Sequence, residues 1–270
     1  MNSVKAKLKY LAPGEEKPVY YASRGGSTAQ LNLSGSFETH EVTITNARSE
    51  SPSGFNLDTE GFTLVQHHAH SKNLYDEEQI KNSFLPEVEA LVAKVTGARR
   101  VVAFDFTLRS DSEDVRGDRQ SREPSTVVHN DYTEKSGPQR VRDLFGGEEA
   151  ELLVQRPFQI VNLWRTITNP VESTPLAVCD AQSVEAGDLV DVVRIADDRT
   201  GELTMAYHNP AHAWYFFNIM KSEEALLIKT FDSDPDAVAK NCIHTAFYLP
   251  DQARVTMPRE SIEVRNFVFY

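Results

Sequence analysis

The chain has 270 residues, 40% hydrophobic and 25% charged, with a formal net charge of −12. Such a length can bury a sizeable core, as one large domain or two small ones. The acidic balance argues against nucleic acid or an anionic membrane as partner, since both need concentrated Lys and Arg. No apolar run approaches the roughly 18 residues of a membrane span, and no basic segment followed by an apolar stretch opens the chain. Cys179 and Cys242 are the only cysteines and lack metal-ligand spacing. The expectation is a cytoplasmic protein with both thiols packed in its core.

Residues 1–60 are rich in Gly, Ser, Thr and Pro. Within them "KAKLKYLAP", "KPVYYAS" and "HEVTITNARS" read as short extended surface pieces, an extension packing on the core. "GFTLVQHHAH" is a strand ending in a histidine cluster, whose His67, His68 and His70 read as a polar entrance or as exposed. "DEEQIKNSFLPEVEALVAKVTGA" is helical, with Asp76 as N-cap, Gln79 completing a capping box and Gly97 as C-terminal cap. Pro86 is expected to split that helix in two.

From residue 99 onward the pattern turns to strands: "RRVVAFDFTLR", "STVVHNDY", "FQIVNLWRTI", "PLAVCDAQSV", "LTMAYHN", "AWYFFNIM", "ALLIKTFDS", "IHTAFYLP" and "SIEVRNFVFY". A helix over 134–150 interrupts them. The charged segment 110–125 reads as solvated disorder or a mobile lid. So many antiparallel-looking strands predict two facing sheets, hence a jelly roll, with the β core over 99–270 of a single domain.

Strand residues two apart share a face, so His129 and Asp131 of "VHNDY" would project side by side. One more ligand from another strand would complete a 2-His-1-carboxylate metal site. His244 is favoured over His208, because Arg259 and Arg265 follow it by 15 and 21 residues on the last strand. A guanidinium fork there would suit a carboxylate cosubstrate. His208 instead stands before Asn-Pro, and His212 belongs to the same turn. Strand alternation turns Asn162 and Trp164 one way and Arg165 the other. Trp164, Trp214, Tyr215 and Phe217 are expected mainly in the core or on an apolar pocket wall. Lys229, Asp232 and Ser233 read as an ion pair or turn. Tyr132 and Thr133 follow the metal pair directly, within reach of a cosubstrate or a ligand.

The ordered set "GFTLVQH", "TGARRVVAFDFTLR", "VHNDYT", "IVNLWRTITNPVESTPLAVCD", "HNPAHAWYFF", "ALLIKTFDS", "HTAFYLP" and "PRESIEVRNFVFY" resembles one family of non-haem iron oxygenases. That family includes the small chain of the cephem 7α-methoxylase system, gibberellin-desaturase-like proteins and fungal meroterpenoid oxygenases. The resemblance covers about residues 60–270. It implies a double-stranded β-helix that is mainly β with flanking helices, and Fe(II), 2-oxoglutarate and dioxygen as cofactors and cosubstrate. It places iron on His129, Asp131 and His244. It places 2-oxoglutarate on Arg259 first, with Arg265 as the alternate and Asn162 and Thr133 beside the cofactors. Thr166 stands where many relatives have proline. The implied activity is oxidation of an unactivated C–H bond of a small natural-product-like substrate by hydroxylation, desaturation or ring formation, giving succinate and carbon dioxide. Two alternatives stay open: a metal-dependent oxygenase that does not use 2-oxoglutarate, and a non-catalytic small-molecule-binding partner of a second protein. A homodimer is compatible with either.

Overall fold

The structure is a computed structural model and describes residues 2–14, 17–50, 54–71, 73–197, 199–250 and 257–270. Two sheets carry it. The larger runs in the order β1 (Ser3–Leu11), β4 (Phe37–Asn46), β12 (Trp214–Phe216), β9 (Leu176–Cys179), β14 (His244–Ala246), β7 (His129–Asn130), β11 (Thr200–Ala206), β10 (Leu189–Ile195), β2 (Val19–Tyr21), β3 (Asn32–Leu33). The smaller runs β5 (Phe62–Gln66), β13 (Glu224–Asp232), β8 (Phe158–Thr166), β15 (Glu260–Phe269), β6 (Arg100–Ser110). The pairings between these strands are antiparallel, except β2 with β10 and β4 with β12.

The two sheets bury a shared core. Trp164, Leu226 and Ile228 of the smaller sheet pack with Leu176 and Val178 of the larger. On the smaller sheet's other face, Val161, Leu163 and Val264 meet Phe84, Val88 and Val92. Those last residues belong to a helical stretch made of α1 (Glu77–Gln79), a π turn over Ile80–Phe84, and α2 (Leu85–Thr96). β8 is therefore covered on both sides and buried at every position. This is the double-stranded β-helix, or jelly roll, that the strand pattern predicts.

Local chemistry explains most boundaries. Asp76 accepts hydrogen bonds from the backbone of Glu78 and Gln79, as an N-cap should, although Gln79 reaches back to the Asp76 side chain rather than its backbone. Gly97 closes α2 at φ 72°. Pro86 does not split the helix: the π turn immediately before it widens the backbone, and the proline sits in the first turn of α2, where a missing N–H costs little. The expected helix over 134–150 is two, α4 (Ser136–Phe145) and α5 (Gly147–Val154), broken where Gly146 and Gly147 take positive φ.

Three expectations are corrected. Residues 1–60 are not short surface pieces: β1 and β4 form a nine-pair ladder inside the larger sheet. Its alternation is plain, with Val4, Ala6, Leu8 and Tyr10 buried and Lys5, Lys7 and Lys9 exposed. The segment 110–125 is not unstructured, since α3 (Glu113–Arg119) occupies it and Arg122 then bonds back to β6 at Leu108 and Ser110. Finally, "LVDVVRI" forms β10, a strand absent from the sequence reading.

His67, just beyond β5, is buried beside Phe84 and Arg165. Burial, then the Arg165 charge, pushes its pKa down to about 4. In the unfolded chain the same imidazole protonates near 6.5. Between those values the unfolded state holds more protons, so stability falls as pH falls from about 6.5 to about 4. Urea midpoints measured across that window should drop less steeply in His67→Gln than in the wild type. Equal slopes would remove His67 as a cause.

Candidate active site

Register brings the site together. His129 on β7 pairs directly with His244 on β14, and their rings lie 4.6 Å apart between centroids. Directly paired residues on antiparallel strands share a face. Asp131 stands just past the end of β7, and its Oδ1 lies 3.8 Å from His129 Nε2. One ligand atom from each of His129, Asp131 and His244 falls within 4.8 Å of the others. Among the described residues this is the one such cluster of three or more His, Cys, Asp or Glu.

Each donor is oriented by a second bond. His129 Nδ1 lies 2.8 Å from the Val127 carbonyl and His244 Nδ1 lies 3.0 Å from the Cys242 carbonyl. A carbonyl only accepts, so both Nδ1 atoms carry hydrogen and, in the neutral ring, both Nε2 atoms keep a lone pair. Burial, then the neighbouring His244, pushes the pKa of His129 down to about 3, which keeps that ring neutral. Asn130, between His129 and Asp131, donates to the carbonyls of Tyr132 and Thr230, which pins the loop that carries Asp131.

Asp131 is held from the opposite sheet. Its Oδ2 accepts from Asn162 Nδ2 at 2.7 Å and from Arg265 Nε at 3.0 Å. Asn162, Arg265 and Asp105 form one row across β8, β15 and β6. Arg265 also donates to Asp105 Oδ2 and Thr107 Oγ1, and pairs with Glu263. Burial by itself would raise the Asp131 pKa. Arg265, then the two imidazoles and Asn162, hold it far below the usual carboxylate range. Oδ1 is the oxygen left facing His129.

Arg259 lies elsewhere. It is fully buried, stacked 5.2 Å from the Trp164 ring, and bonded to the Thr174 carbonyl and the Ser261 hydroxyl. Its Nε has no partner among the described residues. Burial, then the nearby Arg109 charge, lowers its pKa to about 10. Thr133 is occupied at the start of α4, accepting from the Lys135 and Ser136 backbone and donating to Glu202. His208 stacks on His40, and His212 bonds Asp188; neither joins the triad. Arg165 does point away from Asn162 and Trp164, toward His67 and Phe84. Lys229 pairs with Asp58 and Asp232. Trp214 donates to Tyr10, and Phe217 packs with Trp164 in the core.

His129, Asp131 and Arg265 open onto a cleft of about 760 Å³, counting the part that meets solvent. Its wall is mixed: Tyr20, Val127, Leu203 and Met205 contribute apolar surface beside a row of charged groups. Arg109, Arg122, Arg194 and Arg199 line it together with Asp105, Tyr132 and Glu202, while Arg259, Thr133 and Trp214 do not. The sequence reading missed these arginines. For Arg109 a signal existed: in "FDFTLR", Asp105, Thr107 and Arg109 alternate with apolar residues and so share a face.

A jelly roll holding two imidazoles and one carboxylate on its inner wall defines a non-haem metal oxygenase. Comparison with known proteins gives the family. The family model described as an oxidoreductase/YMDC permease-like domain matches residues 8–269. The Fe(II)/2-oxoglutarate-dependent dioxygenase nvfI of Aspergillus novofumigatus is 31% identical over 95% of this chain and 92% of its own. The hydroxylase/desaturase CTB9 of Cercospora beticola is 31% identical over 87% of this chain and 78% of its own. A solved structure of the iron and alpha-ketoglutarate-dependent endoperoxidase NvfI superposes with a TM-score of 0.86 at 28% identity, covering 99% of this chain and 98% of that one. The chain belongs to this family of fungal Fe(II)/2-oxoglutarate-dependent oxygenases. It is an oxidoreductase that uses Fe(II), 2-oxoglutarate and dioxygen and acts on a small molecule. No helix among the described residues is long and apolar enough to cross a membrane.

Arg265 binds two largely buried carboxylates, Asp131 and Glu263, and a third, Asp105, at the surface, so its loss leaves the buried pair without a counter-charge. Arg265→Met should destabilise the fold by about 3–5 kcal/mol, measured by urea unfolding. A cost below ~1 kcal/mol, the level of an exposed ion pair, would contradict the clamp.

Proposed function

We propose that His129 Nε2, Asp131 Oδ1 and His244 Nε2 bind the iron, and that Arg259 grips the distal carboxylate of 2-oxoglutarate. The observation that carries the metal site is the division of labour within each ligand. One atom of each is committed to the protein; Asp131 Oδ1 lies 3.8 Å from His129 Nε2, and one ligand atom from each of the three residues falls within 4.8 Å of the others. Two neutral imidazoles and a carboxylate suit Fe(II), and three ligands leave positions open for a cosubstrate.

Hydrogen-bond saturation separates the two arginines. Arg265 is filled by Asp131, Asp105, Thr107 and Glu263, so it has nothing left for a further carboxylate. The Arg259 guanidinium bonds only neutral oxygens, its backbone N–H alone reaching the Asp111 carboxylate, and it keeps one buried N–H unpaired. An unpaired buried cation is costly, and a carboxylate would complete it through a charge-assisted bond. Arg265 and Asn162 keep Asp131 ionised and aimed; Asn130 fixes the loop that bears it. A reading without 2-oxoglutarate leaves the Arg259 cation unexplained.

When bound, the iron with 2-oxoglutarate and dioxygen supplies oxidative decarboxylation of 2-oxoglutarate to succinate and carbon dioxide, coupled to oxidation of a C–H bond. We take the substrate to be a small natural-product-like molecule, and the outcome to be among those named for the relatives: hydroxylation, desaturation or peroxide formation. The chain's part is to hold one C–H bond of that molecule in the cleft beside His129 and Asp131.

Anaerobic titration of Fe(II) with 2-oxoglutarate, read by the weak visible charge-transfer band of the chelate, tests the assignment. The band should form in the wild type and in His208→Ala and be absent in His244→Ala. Arg259→Gln should need about 10–100 times more 2-oxoglutarate, the worth of one charged hydrogen bond. A normal titration in Arg259→Gln would return the anchor to Arg265 or to another cleft arginine.

A further inference from the structure

The cleft holds more positive charge than its own carboxylates balance. Five arginines line it against three carboxylates, Asp105, Asp131 and Glu202. All three carboxylates are already engaged: Asp105 and Asp131 by Arg265, and Glu202 by Thr133 and Lys135. Arg199 has a partner in Asp143 outside the cleft. Arg109 donates to the Glu123 carbonyl. Arg122 and Arg194 remain. Both are half-buried, and among the described residues neither guanidinium has a hydrogen bond or an ion pair.

These two groups come from different walls. Arg122 follows α3 and bonds by its backbone to β6 of the smaller sheet. Arg194 lies on β10 of the larger sheet and pairs in register with Tyr20 of β2. Each also feels its neighbours: after burial, Arg109 is the largest charge acting on Arg122 and Arg265 the largest acting on Arg194, and both disfavour the cation. A 2-oxoglutarate bound through Arg259 and the metal does not neutralise them, because the iron's two positive charges offset the cosubstrate's two negative ones. Half-buried cations left unpaired on the two walls of one cleft are partly stripped of water and gain from a ligand that completes them.

Resting on the oxygenase reading above, we infer that Arg122 and Arg194 are the specificity-determining residues for an anionic substrate, a small organic acid carrying at least two carboxylates that bridges the two walls. A planar guanidinium fork accepts a carboxylate through two parallel hydrogen bonds. Two such forks fix both position and rotation of a multiply charged molecule, which would hold one of its C–H bonds toward His129 and Asp131. A neutral apolar molecule of the same size would leave both cations unpaired and is disfavoured for that reason.

The test uses the full chain, anaerobic and loaded with Fe(II) and 2-oxoglutarate, and also the chain without either. Propane-1,2,3-tricarboxylate serves as probe, since it lacks the 2-oxo group that chelates. Its trimethyl ester is the neutral control, and inorganic phosphate reports a different oxyanion. By calorimetry the tricarboxylate should bind the wild type and the ester should not. Arg122→Gln and Arg194→Gln should each weaken that binding at least tenfold while the chelate band stays in place. Relief of repulsion should leave the ligand-free Tm of both variants at or above the wild-type value, which excludes misfolding as the cause. No tricarboxylate binding, or binding unchanged in both variants, overturns the inference. Phosphate binding without tricarboxylate binding overturns the carboxylate assignment in favour of a phosphorylated substrate. Absence of the chelate band in the wild type sinks the oxygenase-site reading instead, and the calorimetry without iron still decides on the arginines.

Discussion

The contact between Asp131 and Arg265 is the one on which the site depends, because it joins the two sheets at the point of chemistry. Asp131 belongs to the larger sheet's side and Arg265 to the centre of the smaller. A buried carboxylate in a jelly roll would ordinarily take up a proton. Here the guanidinium, flanked by Asn162 and Asp105 in the same row, keeps it ionised and leaves one oxygen facing His129. The apolar layers on either side of the smaller sheet then serve to hold that row still. Trp164 and Ile228 pack inward, while Val161, Leu163 and Val264 pack against α2. Rigidity of the sheet becomes precision at a carboxylate oxygen.

Roles divide along the last strand in a way that spacing alone does not decide. Ser261, Glu263 and Arg265 alternate onto one face, and Arg259 shares their chemistry just before the strand begins. From the sequence, either arginine could serve as the fork for a cosubstrate, and the resemblance only ranks Arg259 ahead of Arg265. What distinguishes them is who else is present. Arg265 meets three carboxylates, whereas Arg259 meets an indole face, a carbonyl and a hydroxyl. A cation that is already neutralised orients its partner. A cation with no carboxylate bonded to its guanidinium is, on the proposal above, the one that would recruit one.

This is also where the sequence stops being legible. His129 and Asp131 could be read because strand geometry puts i and i+2 on one face, and His244 because an arginine-bearing strand follows it. The long strands from Arg100 onward could be read because they are β-branched and bounded by turns. β1 could have been, since its lysines alternate with Val4, Ala6, Leu8 and Tyr10; the surrounding Gly, Ser and Pro obscured it. Arg122 and Arg194 could not. One is placed by a loop returning to β6 and the other by a strand whose partners, β11 and β2, lie far apart in sequence. No local period encodes that meeting. Thr133 shows the opposite failure: adjacency to Asp131 made it a candidate, but its hydroxyl completes the start of α4.

Net charge misleads in the same way. A chain carrying −12 overall encloses a cleft in which guanidinium groups outnumber carboxylates. The two facts are compatible, because exposed acids are screened by water and salt within roughly 10 Å, whereas partly buried charges in a cleft are screened less and act on one another more strongly. The acidic exterior sets the long-range field around the molecule. The interior is free to select for the opposite charge. An anion that reaches the cleft thus leaves a repelling surface for an attracting one, and the arginines that make this so come from both sheets. On the inference drawn for Arg122 and Arg194, discrimination between substrates would be a property of how the two sheets meet, not of any one strand.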